Sequence, residues 1–336
     1  MPALRLDFAT EALRLAEPFR ISGYVFETVD VVVATLSDGD RTGRGEASGV
    51  FYLGDEAPQI AAALEAARGA IEDGPSREEL RSILPPGGAR NAIDCALWEL
   101  EAARASQPVW QLAGLPEPKP LRTTFTLGAD TPSAMAERAR RYGEALSIKV
   151  KLTGELELDI ARLRAIRAAR PDVWLGVDGN QGFTRAQLDR LVAVLEDTAV
   201  SLLEQPLARG READLDGFAS PVPIAGDESI LSLADVAASV GRFDVVNIKL
   251  DKCGGLTEAL LMAAEARRLG LGVMVGTMVG TSLATAPAFL FGQVCDLVDL
   301  DGPTFLAQDR EPSVTYERGH LWSGPEVWGS GSRGLR

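Results

Sequence analysis

The sequence predicts an α/β fold, a (β/α)₈ barrel that follows an N-terminal α+β region. Three observations predict it. Short apolar runs alternate with amphipathic helical patterns from residue 122 onward, and charged residues end successive runs at nearly constant spacing. Such alternation is typical of a parallel sheet, and eight units suggest a closed barrel. The proline-rich run at residues 116–120 predicts a stiff linker and the domain boundary.

The N-terminal region begins with strands and continues with helices. The first 50 residues alternate like β-strands, most strongly at residues 28–36, and residues 37–40 form the following turn. Residues 18–24 and 49–54 are expected to be irregular loops. Three helical patterns follow, at residues 57–70, 76–83 and 89–105. The last has apolar side chains at helical spacing, which makes it the clearest element of this region.

Eight apolar runs are the strand candidates of the barrel, at residues 123–127, 148–152, 174–177, 200–203, 223–225, 244–250, 272–275 and 297–300. Helical patterns follow most of them, for example at residues 133–142, 157–169, 185–195 and 257–269. An open doubly wound sheet is the alternative, and it would want a glycine-rich phosphate loop after its first strand. Residues 128–132 do not form such a loop, which favours the barrel.

Five charged residues end consecutive strand candidates: Lys151, Asp178, Glu204, Asp227 and Lys249. They are separated by 27, 26, 23 and 22 residues, close to one strand–helix unit each. The carboxyl ends of barrel strands form the catalytic face of this fold. Any one of these residues could equally be an ordinary strand end before a solvated loop. Five in phase predict a functional cluster.

The acids and lysines of this cluster suggest a chemistry. Asp178, Glu204 and Asp227 offer hard oxygen ligands, which suit Mg²⁺, and clustered acids need such a cation. Lys151 and Lys249 would flank the metal from opposite sides. A lysine near a divalent cation and another lysine has its pKa lowered, which favours a neutral amine acting as a base. The set predicts proton abstraction next to a carboxylate, with the metal stabilising an enediolate.

Composition narrows the function further. A net charge of -14 argues against nucleic acid and anionic membranes as partners. No apolar run is long enough to cross a bilayer and no signal-peptide core is present, so we expect a soluble cytoplasmic protein. Cys95, Cys253 and Cys295 are predicted to be buried free thiols. The single histidine, His320, lies near the C-terminus, so catalysis is expected to use lysines and carboxylates.

These motifs resemble the enolase superfamily, in its muconate-lactonizing-enzyme subgroup. The resemblance rests on Lys149-Val150-Lys151, on the three acids, and on the segments at residues 247–249 and 252–255. It covers nearly the whole chain. It implies an enolase-like capping domain at residues 1–118, a modified TIM barrel at residues 119–310, and a tail at residues 311–336 that packs back on the cap.

The resemblance also implies roles for individual residues. Asp178, Glu204 and Asp227 would bind one Mg²⁺ per subunit, and Lys151 and Lys249 would be acid/base catalysts on opposite faces of the substrate. Because Lys149 shares a strand face with Lys151, it would tune that lysine or touch the substrate carboxylate. The lone tail histidine excludes the branches of the superfamily that use a barrel histidine as base.

Asp299 and Asp301 distinguish functions within the subgroup. They are two residues apart and share a face, which is either an acidic turn or a clamp for a substrate ammonium group. This Asp-x-Asp resembles the dipeptide epimerases. The resemblance implies 1,1-proton transfer at the α-carbon of a dipeptide's C-terminal residue. L-Ala-D/L-Glu is the commonest substrate in such families and connects them to murein peptide recycling.

Side-chain specificity is expected to lie in the cap loops at residues 19–26 and 50–55. Arg20 is the only arginine or lysine in either loop and would bind a glutamate side chain. If Arg20 points away, the aromatic residues of these loops favour a neutral or apolar second residue instead. Tyr52 and Thr126 are further predicted substrate contacts. Asp251 and Lys252 belong to the same stretch as Lys249, and the interpretation that they simply pair with each other or with neighbouring barrel loops is equally favoured.

Other functions stay open on the sequence alone. An N-acylamino-acid racemase would use the same chemistry without needing an ammonium clamp. β-Elimination, as in o-succinylbenzoate synthase, or cycloisomerisation would use the same site. A catalytically silent barrel that only binds a partner is disfavoured by the intact lysines and acids. The expected partners are a small-molecule dipeptide and further copies of the chain in a homo-oligomer.

Overall fold

The computed structural model describes residues 3–21 and 24–331, apart from the side chains of Ile21 and Tyr24. The N-terminal part begins with a three-stranded antiparallel sheet whose central strand is the second along the chain. Its strands are β1 (Arg5–Ile21), β2 (Tyr24–Ser37) and β3 (Thr42–Ala47).

The expectation of an irregular loop over residues 18–24 is wrong for residues 18–21 and 24, which lie in β1 and β2, and its residues 22 and 23 lie outside the described residues. The pairing of β1 with β2 shifts register between Arg14 and Phe19, and regular pairing then resumes up to Ile21. Pro18 lies inside this bulge, where the missing N–H removes no ladder hydrogen bond. The aromatic and β-branched residues on both sides of the tip favour extended backbone, so the strands continue past the bulge.

Helices cover one face of this sheet. They are α1 (Ala57–Glu72), α2 (Arg77–Ile83) and α3 (Gly88–Ala105). The short helix α4 (Val109–Leu112) follows, and its Val109 packs in the core cluster of the barrel. A capping box of Ser76 and Glu79 begins α2. The helix α3 approaches β3 closely, because a Cβ atom at Gly45 would lie 2.0 Å from the carbonyl oxygen of Ala92. The interface buries a cluster of aliphatic side chains from the sheet and helices.

The second part is the predicted (β/α)₈ barrel. Its eight strands are parallel and neighbour one another in chain order, and they are β5 (Thr124–Leu127), β6 (Ser147–Lys151), β7 (Trp174–Asp178), β8 (Leu202–Glu204), β9 (Ile224–Gly226), β10 (Val245–Lys249), β11 (Gly272–Gly276) and β12 (Leu297–Asp299). The barrel is nearly closed. At the seam between the first and last strands, the Leu300 N–H donates a hydrogen bond to Thr123 Oγ1 at 3.0 Å. This confirms the predicted fold class.

The helical shell is less regular than eight equal repeats. Its α-helices are α5 (Pro132–Arg141), α6 (Leu156–Ala169), α7 (Arg185–Asp197), α8 (Leu233–Ala238), α9 (Leu250–Cys253), α10 (Leu256–Arg268) and α11 (Ser282–Gly292). After β8 and β12 the chain forms short 3₁₀ turns, at Glu212–Leu215 and Gly302–Phe305. None of the described helices has the length and apolar composition that a membrane span requires.

After the barrel the chain forms two strands of a small antiparallel sheet and then contacts the N-terminal part. Strands β13 (Thr315–Glu317) and β14 (His320–Trp322) form a sheet with β4 (Leu121–Arg122). Further on, Trp328 Nε1 donates to the Arg44 carbonyl oxygen, and the Arg44 guanidinium donates to the Val327 carbonyl oxygen, both at 2.9 Å. These contacts join the tail to β3. The domain boundary at residue 118 stays a prediction.

Candidate active site

The registers of the barrel strands bring the predicted charged residues to one rim. Lys151 lies opposite Asp178, and Asp178 lies opposite Glu204. On the other side of the barrel, Lys249 and Asp299 are both paired with Gly276. Each of these charged residues is the last of its strand, so all of them lie at the carboxyl end of the barrel, where catalytic groups of this fold occur.

Three buried acids form the centre of the rim. Asp178, Glu204 and Asp227 each offer a carboxylate oxygen, and the three oxygens lie within 4.8 Å of one another. Burial and the negative charge of Asp178 raise the pKa of Glu204 to about 8. The donors are all carboxylate oxygens, as Mg²⁺ prefers, and their mutual repulsion calls for a cation among them. The residues present therefore fit a magnesium site.

The two predicted catalytic lysines lie on opposite walls of the barrel. Strands β6 and β10 are separated by β7, β8 and β9 on one side and by β11, β12 and β5 on the other. Lys151 Nζ donates to Asp178 Oδ2, and Lys249 Nζ donates to Asp227 Oδ2, both at 2.7 Å. Burial lowers the pKa of Lys249, but the charges of Asp227 and Glu204 and the hydrogen bond to Asp227 together raise it above its ordinary value, opposite to the lowering expected beside a divalent cation.

Lys149 lies among the acids. Its Nζ is 2.8 Å from Glu204 Oε2, 2.7 Å from Asp299 Oδ2 and 3.1 Å from Asp178 Oδ2. Burial lowers the pKa of Lys149, but these carboxylates raise it well above the ordinary value. Lys149 is thus a buried cation that neutralises the acidic rim, in addition to being two residues from Lys151.

The acidic pair at the end of β12 faces the same cavity as the lysines. Asp299 accepts hydrogen bonds from Lys149 Nζ and from the Thr124 hydroxyl. Asp301 Oδ2 accepts a hydrogen bond from the Thr126 N–H at 2.6 Å. Burial and the charge of Asp299 raise the pKa of Asp301 to about 7. The two carboxylates therefore differ in their availability to a further cation, because Asp299 is already paired with Lys149.

A cavity of about 380 Å³ lies over the rim and extends to the N-terminal part of the chain. Thr126 and Tyr52, which are predicted substrate contacts, both line it. The Tyr52 hydroxyl is buried and has no hydrogen-bond partner among the described residues. Arg20 lines an adjoining cavity of about 250 Å³ instead. His320 lies on β14, away from the rim, and its Nδ1 is 3.0 Å from the Arg318 carbonyl oxygen.

Two residues at the rim, Lys252 and Asn247, have partners that the sequence-based prediction did not name. Lys252 is fully buried and donates to the Asp227 carboxylate and to the carbonyl oxygens of Asp227 and Asn247. Asn247 Nδ2 donates to Glu204 Oε1 at 2.9 Å. The alternation of β10 places Asn247 on the face of Lys249, so strand periodicity could have identified Asn247. No comparable signal in the sequence links Lys252 to Asp227.

Asp251 holds a loop of the N-terminal part against the barrel. Its Oδ1 accepts hydrogen bonds from the Ser48 N–H at 2.9 Å and the Gly49 N–H at 3.0 Å. Asp251 and Lys252 therefore have separate partners, the first in the cap loop and the second at the acidic rim. Because Asp251 follows Lys249 by two residues, the loop is attached directly beside a catalytic lysine.

Comparisons with known proteins match both parts of the chain. Residues 6–114 match the family model described as the mandelate racemase/muconate lactonizing enzyme N-terminal domain. Residues 133–322 match the enolase C-terminal domain-like family. The two matches cover most of the strands and helices, including every residue of the acidic rim.

Three relatives show how similar the whole chain is. The L-Ala-D/L-Glu epimerase of Escherichia coli (strain K12) is 40% identical over 93% of this chain and 97% of its own length. A crystal structure of an Agrobacterium tumefaciens enolase family member, with bound sodium and L-Ala-L-Glu, gives a TM-score of 0.92 at 40% identity over 97% of this chain and 100% of that one. The crystal structure of the dipeptide epimerase from Enterococcus faecalis V583, complexed with Mg and L-Leu-L-Tyr, gives a TM-score of 0.91 at 28% identity and covers 98% of this chain and 99% of that one.

Proposed function

This chain belongs to the enolase superfamily, in its mandelate racemase/muconate lactonizing enzyme branch, and we propose on that basis that it is a magnesium-dependent dipeptide epimerase. It inverts the α-carbon of the C-terminal residue of a dipeptide. The observation that carries the proposal is the pair of buried lysines on opposite walls of one cavity, with three acids between them.

The lysine pair explains how a stereocentre is inverted. A substrate α-carbon held between the two walls presents one face to Lys151 and the other to Lys249. One lysine, as a neutral amine, accepts the α-proton at Nζ, and the other, as an ammonium group, donates a proton to the opposite face. The roles exchange for the other stereoisomer. The reaction is therefore a 1,1-proton transfer, and its two directions use the same two side chains.

Asp178, Glu204 and Asp227 would hold Mg²⁺, and neighbouring residues keep them in place. When bound, the ion supplies positive charge that stabilises the negative charge developing on the substrate carboxylate as the α-proton leaves. Lys149 and Asn247 both donate to Glu204 and fix its orientation. Lys252 does the same for Asp227. These contacts reduce the movement that the ligands need before the metal binds.

Asp299 and Asp301 support a dipeptide over an N-acylamino acid. A free α-ammonium group would meet two carboxylates at the wall formed by β12. An N-acylated nitrogen carries no positive charge that could pair with them. Because Asp299 is already bound to Lys149, Asp301 is the more available acceptor of the two. An N-acylamino-acid racemase, an eliminase or a cycloisomerase would not need Asp301 to bind an ammonium group, so those alternatives are not favoured.

We also propose a cytoplasmic location, which is supported by three free cysteines, two of them buried. A part in recycling cell-wall peptides requires glutamate as the second residue of the substrate, and so it depends on the side-chain site. The homo-oligomeric state stays a prediction that light scattering would measure.

Isotope exchange tests the proposed reaction. The protein is incubated in D₂O with Mg²⁺ and a library of L,L-dipeptides, beside matched N-acetylated amino acids. We expect incorporation of one deuterium at the α-carbon of the C-terminal residue, together with the appearance of the L,D diastereomer. EDTA should stop both and added Mg²⁺ should restore them. Exchange with N-acetylamino acids and none with any dipeptide would refute the epimerase assignment.

A further inference from the structure

The hairpin of β1 and β2 presents two different faces. Phe19 is paired with Phe26, and Arg20 is paired with Val25. Residues directly opposite each other share a face, and successive residues alternate between faces. Accordingly, Phe19 and Phe26 line the cavity above the lysines. Arg20 lines only the adjoining cavity, which Phe19 also borders, and Val25 is 60% exposed. A rigid movement of the hairpin would leave Arg20 on the opposite face from the phenylalanines.

Backbone contacts hold Arg20 in this position. Its carbonyl oxygen accepts a hydrogen bond from the Ala129 N–H at 3.1 Å, which ties the hairpin to the loop after β5. Turning Arg20 into the cavity would require a shift of β1 by one residue, and that shift would remove Phe19 from the cavity.

Five aromatic residues line the cavity and form what we call the aromatic wall: Phe19, Phe26, Phe51 and Tyr52 of the N-terminal part, and Phe305 of the turn after β12. Phe51 packs edge-on against Phe26 and Tyr52, with ring centroids 5.1 and 5.2 Å apart. Phe19 packs against Phe305 at 4.6 Å. Such ring packing fixes the side chains and gives the wall a defined apolar shape.

The charges around this cavity do not suit an anionic side chain. Among the described residues that line it, the cations are the three lysines of the rim, and each of these contacts a rim carboxylate. On the cap side the charged lining residues are Asp30 and Glu56, both exposed and acidic. Residues 22 and 23, a serine and a glycine, lie outside the described residues and have no ionisable side chain.

From these observations we infer that the C-terminal residue of the substrate has an apolar side chain and that glutamate is selected against. The inference rests on the proposed function and specifies its side-chain site. Among the described residues that line the cavity, the only cations are the rim lysines, which already contact carboxylates, so a glutamate carboxylate at the aromatic wall would lose its hydration without a lining cation to replace it. Asp30 and Glu56 would also repel it. An apolar side chain gains from the same burial. Relatives accept both classes, since one is named for L-Ala-D/L-Glu and another binds L-Leu-L-Tyr.

Rates on a substrate series test the inference on the unmodified protein. Epimerisation of L-Ala-L-Leu, L-Ala-L-Phe, L-Ala-L-Gln, L-Ala-L-Glu and L-Ala-L-Lys is compared by kcat/KM. We expect the leucine or phenylalanine dipeptide to exceed the glutamate dipeptide by about 100-fold. Glutamine, which has the length of glutamate without its charge, should fall between them. A highest kcat/KM with glutamate or lysine would overturn the inference and leave the epimerase assignment standing. Failure with every dipeptide would overturn both.

Two matched variants test the face assignment. Phe26→Arg places a cation in the cavity, and Val25→Arg adds the same charge on the other face of the hairpin. We expect Phe26→Arg to raise the ratio of kcat/KM for L-Ala-L-Glu over L-Ala-L-Leu by about tenfold or more, and Val25→Arg to change it less than about twofold. Arg20→Ala should also leave the ratio unchanged. A loss of glutamate activity on Arg20→Ala would show that Arg20 reads the side chain after all. Because each ratio compares two substrates on one preparation, partial misfolding does not alter it.

Discussion

Replacing Asp251 by alanine should destabilise the protein by about 3 kcal/mol. The buried carboxylate accepts two backbone hydrogen bonds, from Ser48 and Gly49, and a hydrogen bond to a charged group contributes about 1.5–3 kcal/mol. Burial disfavours the charged form and raises the pKa of Asp251 to about 7. This reduces the stabilisation that the two hydrogen bonds provide. We therefore take the lower end of the range for each of the two bonds. Alanine would leave both N–H groups without their acceptor.

The effect should also reach the substrate site, because the loop that begins at Ser48 carries Phe51 and Tyr52 of the aromatic wall. Urea unfolding gives the change in stability, and steady-state kinetics with an apolar dipeptide should show a raised KM with kcat less affected. Asp251→Asn is the matched control: it retains the Oδ1 acceptor and should lose less than about 1 kcal/mol. If Asp251→Ala lies within about 0.5 kcal/mol of the wild type, or Asp251→Asn costs as much as Asp251→Ala, the tethering role is refuted.

Three further outcomes are expected from the rim and the core. Lys151→Ala and Lys249→Ala should each abolish epimerisation while still exchanging the α-proton of one stereoisomer, which proton NMR in D₂O would show; normal epimerisation by both variants would contradict a two-base reaction. Asp301→Asn should lower kcat/KM for a dipeptide with a free amine by about 10–100-fold, and an equal loss with its N-acetylated analogue would remove the ammonium clamp. Burial raises the pKa of Asp94 to about 6, so the folded chain keeps a proton that the unfolded chain releases. The free energy of unfolding should therefore fall by about 3 kcal/mol as the pH rises from about 4 to about 6. Urea unfolding midpoints of Asp94→Asn should not show this fall. Wild-type and Asp94→Asn midpoints that change in parallel with pH would contradict the prediction.

The barrel and its acidic rim could be predicted from the sequence because they depend on local rules. Each strand is a short buried apolar run, and its last residue falls at the same rim in every repeat, so the spacing from Lys151 to Lys249 was sufficient to place these residues together. Strand alternation similarly placed Asp299 and Asp301 on one cavity wall. These inferences needed only the period of a strand and the direction of a parallel sheet.

The specificity site could not be predicted in the same way. The face on which Arg20 lies depends on the bulge between Arg14 and Phe19, and such a bulge is fixed by pairing with another strand. With Pro18 and Gly23 nearby, the segment was expected to be a loop. Lys252 and Asp251 reach partners that are distant in sequence, Asp227 and the loop at Ser48. Tertiary packing decides these pairings, and the local sequence does not contain that information.

The register shift in β1 has an evolutionary consequence. A single-residue insertion or deletion within the bulge would exchange the faces of the part of β1 that follows it, bringing Arg20 over the lysines and withdrawing Phe19. The chemistry at the barrel rim would be untouched, because no residue of the rim lies on this hairpin. A lineage could therefore change between anionic and apolar substrates through a length change in one strand, without passing through an inactive enzyme.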